Sequence, residues 1–275
     1  MIPCFNEATC MRSTTLEEDI ALCAGAGFPA IELRKEKLIR YLRQGHTLEE
    51  LRSLYARHGL KPACINALQG TYMATPQDKT ALRDACDFLC YCARTLGCTK
   101  LEYIAPYGLP LEGEALEEYS VESLRTLSDV AARYGVRLAV EYMALPGNSI
   151  QTFAQALGII ERVDRENVGL LVDTWHHFAW GSRPEELLQA KAGQVFMVHI
   201  SDCPNKEKGT IPRGESYWPG EGAAPITEDL INLKKIGYEE EVSIEVFDPA
   251  VQTADPAAVI PLALRHTAEA IRRAE

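Results

Sequence analysis

Short runs rich in Val, Ile, Leu and aromatic residues alternate with longer stretches whose apolar positions recur every three to four residues. The alternation continues along the whole chain. The short runs predict strands over residues 2–6, 30–34, 63–66, 100–104, 137–141, 169–173, 195–199 and 242–247. The longer stretches predict helices over 16–26, 48–58, 78–96, 119–134, 152–163, 184–190, 226–236 and 256–273. Several of these end at a glycine, namely Gly27, Gly59, Gly97, Gly135 and Gly237, which can enter the left-handed region past the last turn. A strand follows soon after each.

Eight strand-then-helix units in 275 residues, with no Pro/Gly/Ser linker between them, predict one domain over residues 1–275. Parallel strands joined by helical crossovers at this length fit a (β/α)₈ barrel, an α/β fold. A doubly wound open sheet is the rival, and it calls for a glycine-rich first turn. The first turn here reads Asn6-Glu7-Ala8-Thr9.

Charge and cysteine usage narrow the partners. With 39 acidic and 28 basic residues the chain carries a net charge of -11. That disfavours a groove for nucleic-acid phosphates or an anionic membrane surface, and favours a small polar ligand, with the chain a monomer or homo-oligomer. The nine Cys include no Cys-x-x-Cys pair, and Cys86, Cys90 and Cys92 fall within one predicted helix. They read as packed, reduced thiols. MIPCFNEATC lacks the basic-then-apolar form of a leader, and no stretch reaches the ~18 apolar residues of a membrane span. A cytoplasmic protein is expected.

In a barrel the side chains that serve chemistry project from the carboxyl ends of the strands. The first strand ends in Asn6-Glu7, the second carries Glu32 and Arg34, the third reaches Asn66, and the fourth contains Glu102 and Tyr103. The last four each place one ionisable group in or after an apolar run: Glu141 in RLAVEYM, Asp173 in GLLVD, His199 in VFMVHI and Glu245 in VSIEVF. One such residue alone reads as a helix cap or a lone ion pair; four consecutive strands do not. Three carboxylates gathered at one mouth repel by ~4 kcal/mol per pair at 4 Å and an effective dielectric of 20. One divalent cation would offset this, and the ligand set Glu141, Asp173, His199 and Glu245 suits Mn²⁺, Mg²⁺, Co²⁺ or Zn²⁺. Beyond Asp173 comes Trp175-His176-His177. His176 is placed in a loop over the mouth, within reach of a substrate oxygen, and His177 is expected to face away and pack.

These residues resemble the xylose-isomerase-like (β/α)₈ superfamily of sugar isomerases and epimerases, whose metal site draws Glu, Asp, His and Glu from the last four strands. CFNEAT at 4–9, IELR at 31–34, INAL at 65–68, NVGLLVD at 167–173 and WPGEG at 218–222 are similar to its inosose-isomerase branch. The likeness runs through nearly the whole chain. In one respect the sequence departs: relatives tend to carry an arginine shortly before this Pro-Gly, whereas here the nearest guanidinium is Arg213 and Ser216 stands closer.

The resemblance implies a metal-dependent isomerase that interconverts keto-inositols, or closely related keto-sugars, through an enediolate. Glu141 and Glu245 would exchange protons with adjacent carbons, and His176 would hold the oxygen that changes protonation. Asn6, Glu32, Arg34, Asn66, Tyr103, Arg213 and Trp218 are the expected substrate contacts, Trp218 as part of a lid over residues 201–224. An inosose dehydratase or a keto-sugar 3-epimerase would use the same site. A phosphodiesterase of the endonuclease IV type shares the barrel, but calls for more histidines and a basic surface than this sequence offers.

Overall fold

The computed structural model describes residues 1–11 and 14–275. The strands are β1 (Ile2–Asn6), β2 (Ala30–Arg34), β3 (Lys61–Gln69), β4 (Lys100–Ile104), β5 (Arg137–Glu141), β6 (Val168–Asp173), β7 (Val195–Ile200) and β8 (Glu241–Ile244). Each pairs in parallel with the next, and β8 returns to β1, closing the barrel. Around it lie α1 (Leu16–Ala26), α2 (Lys35–Arg43), α3 (Leu48–His58), α4 (Pro76–Leu96), α5 (Gly113–Ala132), α6 (Phe153–Val163), α7 (Thr174–Ala179), α8 (Ile226–Lys235), α9 (Pro249–Thr253) and α10 (Pro256–Arg273). Among the described residues, no helix is long and apolar enough to cross a membrane.

The sequence pattern fails at three helices. α2, α7 and α9 were not expected, because α2 and α7 start directly from the last residue of a strand and α9 is five residues long. The unit expected at 184–190 is a 3₁₀ turn over Pro184–Gln189.

Strand alternation sorts the side chains. Ile31, Leu33, Leu101, Tyr103, Leu138, Val140, Leu170, Val172, Val198, Val242 and Ile244 point out and join the layer packed under the helices. Each such aliphatic side chain contributes about 2 kcal/mol by leaving water. A smaller inner cluster holds Cys4, Ala30, Ala63, Cys64, Ala139, Leu171, Phe196 and Met197, and small residues dominate it because eight strands leave little room. Gly169 serves the same constraint: a Cβ there would meet the Phe196 ring at 2.8 Å and the Gln194 carbonyl at 2.6 Å.

The two ends of the barrel are both charged. At the amino end, buried Lys100 Nζ bonds Glu240 at 2.6 Å and Glu241 at 2.5 Å. Lys61 reaches Glu241 at 2.7 Å, and Arg137 grips Glu240 through two bonds of 2.9 and 2.7 Å. This network plugs the floor. The carboxyl end collects Asn6, Glu32, Asn66, Glu141, Asp173, His199 and Glu245, all buried. All nine cysteines are buried thiols, with Cys86 and Cys90 3.9 Å apart on α4.

Candidate metal centre

β5, β6 and β7 end on or next to Glu141, Asp173 and His199, each on the inward phase of its strand. Glu245 lies one residue beyond β8, yet its backbone N–H still bonds the Ile200 carbonyl at 3.1 Å, so the ladder continues far enough to aim it inward. One ligand atom from each of these four residues lies within 4.8 Å of the others.

Asp173 divides its two oxygens. Oδ1 accepts from the Trp175 and His176 backbone N–H groups at 2.7 and 3.4 Å and so caps α7, while Oδ2 faces the centre. The residue is cap and ligand candidate together. α7 replaces the loop expected after β6, and it carries both histidines. The Ala144 N–H donates to His176 Nδ1 at 3.0 Å, which leaves the proton on Nε2. Among the described residues that Nε2 is buried without a hydrogen-bond partner, 4.0 Å from Asp173 Oδ2. Burial, followed by Arg213, holds the His176 pKa well below the ordinary value, so it is a neutral donor facing the site. His177 turns away as expected: its Nδ1 accepts from the Tyr142 hydroxyl at 2.9 Å and its Nε2 donates to the Arg183 carbonyl at 3.0 Å.

His199 has one ring nitrogen committed and one open. Nε2 donates to the two Glu32 oxygens at 3.1 and 3.0 Å. Nδ1 is buried with no hydrogen-bond partner among the described residues, 3.4 Å from Glu245 Oε2 and 3.8 Å from Glu141 Oε1. A carboxylate behind an imidazole whose other nitrogen faces further carboxylates is the arrangement of a metal-ligating histidine. The donor set therefore fits a divalent ion, with hard oxygens and one nitrogen.

The buried groups at the mouth shift one another's titration. Burial, followed by the Glu245 charge, pushes the Glu141 carboxyl up to about 8. Burial raises Asp173 too, against the pull of Arg213. Burial also acts to raise Glu245, but His199 and Arg213 outweigh it and hold that carboxyl below the ordinary range. His199 is opposed by burial and carried well above the ordinary value by Glu32 and Glu245. Arg213 Nη2 bonds Asp173 Oδ2 and Glu245 Oε2 at 3.0 Å each, with its guanidinium over the Phe247 and Trp175 rings at 4.4 and 4.9 Å.

Of the expected substrate contacts, the structure brings Arg213 to the ligands themselves. Asn6, Glu32, Arg34 and Asn66 also converge here: Asn6 and Asn66 donate to Glu245, Glu32 accepts from His199, and Arg34 divides between Asn66 and Glu36. Tyr103 does not reach the site: alternation on β4 turns it outward under the helices, where its hydroxyl leaves no room for a Cβ at Gly70. Glu102 is the inward neighbour on that strand, buried with Oε2 unpartnered among the described residues, and strand phase alone would have found it. Trp218 stacks on His266 of α10, 5.5 Å between centroids at 15°, and is buried. Its loop is fastened by Asp202, whose carboxylate accepts from the Cys203, Gly220 and Ala224 N–H groups at 2.8 to 2.9 Å. In this position Trp218 anchors its loop to α10.

A closed parallel barrel with four ligand candidates on four consecutive strands defines an α/β barrel with a candidate metal site at its mouth. The chain belongs to the xylose isomerase-like TIM barrel family, which matches residues 20–270. It is 35% identical to an inosose isomerase of Bacillus velezensis over 258 residues, 90% of this chain and 88% of the relative. An inosose isomerase of Bacillus licheniformis is 34% identical, with 98% of each chain covered. Among solved structures, the crystal structure of the IolI protein with a zinc atom bound is 32% identical with a TM-score of 0.94, covering 100% of this chain and 99% of that one.

Proposed function

We propose that this protein is a divalent-metal-dependent isomerase of keto-inositols, acting in the cytoplasm on a small polar keto-polyol of the 2-keto-myo-inositol type. The observation that carries this reading is the open His199 Nδ1 among three carboxylates, in a chain that aligns with inosose isomerases over nearly its full length. Glu141, Asp173, His199 and Glu245 would hold the ion, which supplies Lewis-acid stabilisation of the negative charge that develops when a carbinol proton leaves.

The protein's own groups divide the proton traffic. Glu245 and Glu141 flank the bound substrate and exchange protons with its adjacent carbons, Glu245 as base and Glu141 on the neighbouring carbon. His176 Nε2–H is the donor to the substrate oxygen that changes protonation. Arg213 orients Asp173 and Glu245 and adds positive charge at the mouth.

The test is incubation of Mn²⁺- or Zn²⁺-loaded protein with 2-keto-myo-inositol in D₂O, followed by NMR. A new keto-inositol carrying solvent deuterium is expected, and chelation should abolish it. Loss of water would identify a dehydratase and inversion at one carbon without carbonyl transfer an epimerase; full turnover in protein shown to be metal-free would overturn the metal reading.

A further inference from the structure

β1, β2 and β3 supply none of the four ligand candidates, yet their inward polar side chains form one connected chain of hydrogen bonds ending on two of them. Arg34 Nη1 donates to Asn66 Oδ1 at 2.5 Å, and Asn66 Nδ2 donates to Glu245 Oε1 at 3.2 Å. Asn6 Nδ2 donates to that same Oε1 at 3.0 Å and to Glu32 Oε2 at 3.2 Å. Glu32 in turn accepts from His199 Nε2. The Asn6 amide cannot turn over, because its Oδ1 accepts from the Ala8 N–H at 2.9 Å.

Each bond has a definite effect on a ligand. Two amide N–H groups occupy Glu245 Oε1, so Oε2, which also accepts from Arg213 Nη2, is the oxygen that faces the centre. Glu32 takes the His199 Nε2 proton, so the Nδ1 lone pair is the one directed inward. Asn6 ties the two effects together, since one NH₂ group serves both carboxylates.

We propose that Asn6, Glu32 and Asn66 are positioning residues: they make Glu245 a single-oxygen ligand and His199 an Nδ1 ligand, and thereby set metal affinity without touching substrate. This deepens the metal-site reading and rests on it. It also reassigns three residues whose types suggested substrate contacts.

The test uses Zn²⁺ and Co²⁺ as probes and needs no substrate. Affinity is measured on chelator-treated protein by competition with a chromophoric chelator, and ligand geometry by the Co²⁺ visible bands. Glu32→Leu should weaken Zn²⁺ binding about 10- to 100-fold and shift those bands, as loss of a group behind a ligand typically does. Glu32→Gln, which keeps a carbonyl acceptor, should fall between Glu32→Leu and wild type. Asn6→Ser, which keeps an acceptor for the Ala8 N–H but loses the double donor, should shift the bands in the same direction. Circular dichroism confirms folding, and Glu32→Gln keeps the test open if Glu32→Leu does not fold.

Unchanged affinity and bands in folded variants overturn the positioning role, whether the metal-free unfolding transition or KM moves instead. Failure of wild-type protein to bind either ion overturns the metal-site reading itself, and this proposal with it.

Discussion

Glu141→Gln should make the metal-free protein more stable near neutral pH, although it removes a ligand. Glu141 is buried beside Glu245, and its carboxyl titrates near 8 in the folded chain against an ordinary value of 4.5. A carboxyl raised on folding contributes stability that is fully present below the unfolded value and lost as pH climbs to the folded one. At pH 7 the gap spans about 2.5 pH units at about 1.4 kcal/mol each, so the carboxyl costs roughly 3 kcal/mol. Glutamine keeps the shape without the charge and removes that cost. The assay is urea unfolding of chelator-treated wild type and variant, with reductant, at pH 5 and pH 7.5. The variant should gain about 1 kcal/mol at pH 5 and roughly 4 kcal/mol at pH 7.5. Excess Zn²⁺ should close most of the gap, since an ion at 100 times its Kd adds about 2.7 kcal/mol to the protein that binds it. Comparing the two proteins cancels the titrating groups remote from Glu141; Glu245, whose lowered carboxyl acts with the opposite sign, interacts with Glu141 and shifts with it. An equal gap at both pH values, or a variant less stable at pH 7.5, would refute the reasoning.

The floor of the barrel and the two histidines give further expectations. Lys100→Met leaves Glu241 buried without its main partner and should cost about 3 to 5 kcal/mol in urea unfolding, with metal content per folded molecule unchanged. His176→Asn should cut kcat/KM by ~10² or more while metal content stays near wild type, because its Nε2 faces the site without being one of the four ligand candidates. His177→Asn, which breaks two buried hydrogen bonds outside the centre, should instead lower stability by about 1 to 3 kcal/mol and leave turnover per folded molecule close to wild type.

The barrel was legible because each strand announces itself locally. Four strands, β1, β2, β4 and β5, have the bounds that pattern alone predicts, and α1, α3 and α10 do likewise. Glu141, Asp173, His199 and Glu245 stood out because a charge in an apolar strand needs a partner, whatever the fold around it. The support behind them was not legible. Asn6, Glu32 and Asn66 have the chemistry of substrate contacts, and only the closure of β8 onto β1 reveals that Glu245 lies within reach of them. Arg213 looked like a marginal stand-in because its spacing from Pro219 is long, but distance along a loop does not limit where the loop returns. Tyr103 was misplaced by reading residue type ahead of strand phase. Trp218 was given to the mouth when its partner, His266, lies far along the sequence in α10.

The buried cysteines bear on how this protein ages. Nine thiols held inside the folded chain are shielded from oxidants, and burial pushes Cys92 and Cys203 up to about 12, so little reactive thiolate forms. Unfolding releases all nine together into solvent, where disulfides between wrong partners can form faster than the barrel closes again. In air the lifetime of the protein is then set by the rate at which it first opens, and not by the equilibrium between folded and unfolded chains. Whatever slows that opening, a bound ion at the mouth included, preserves the enzyme in proportion.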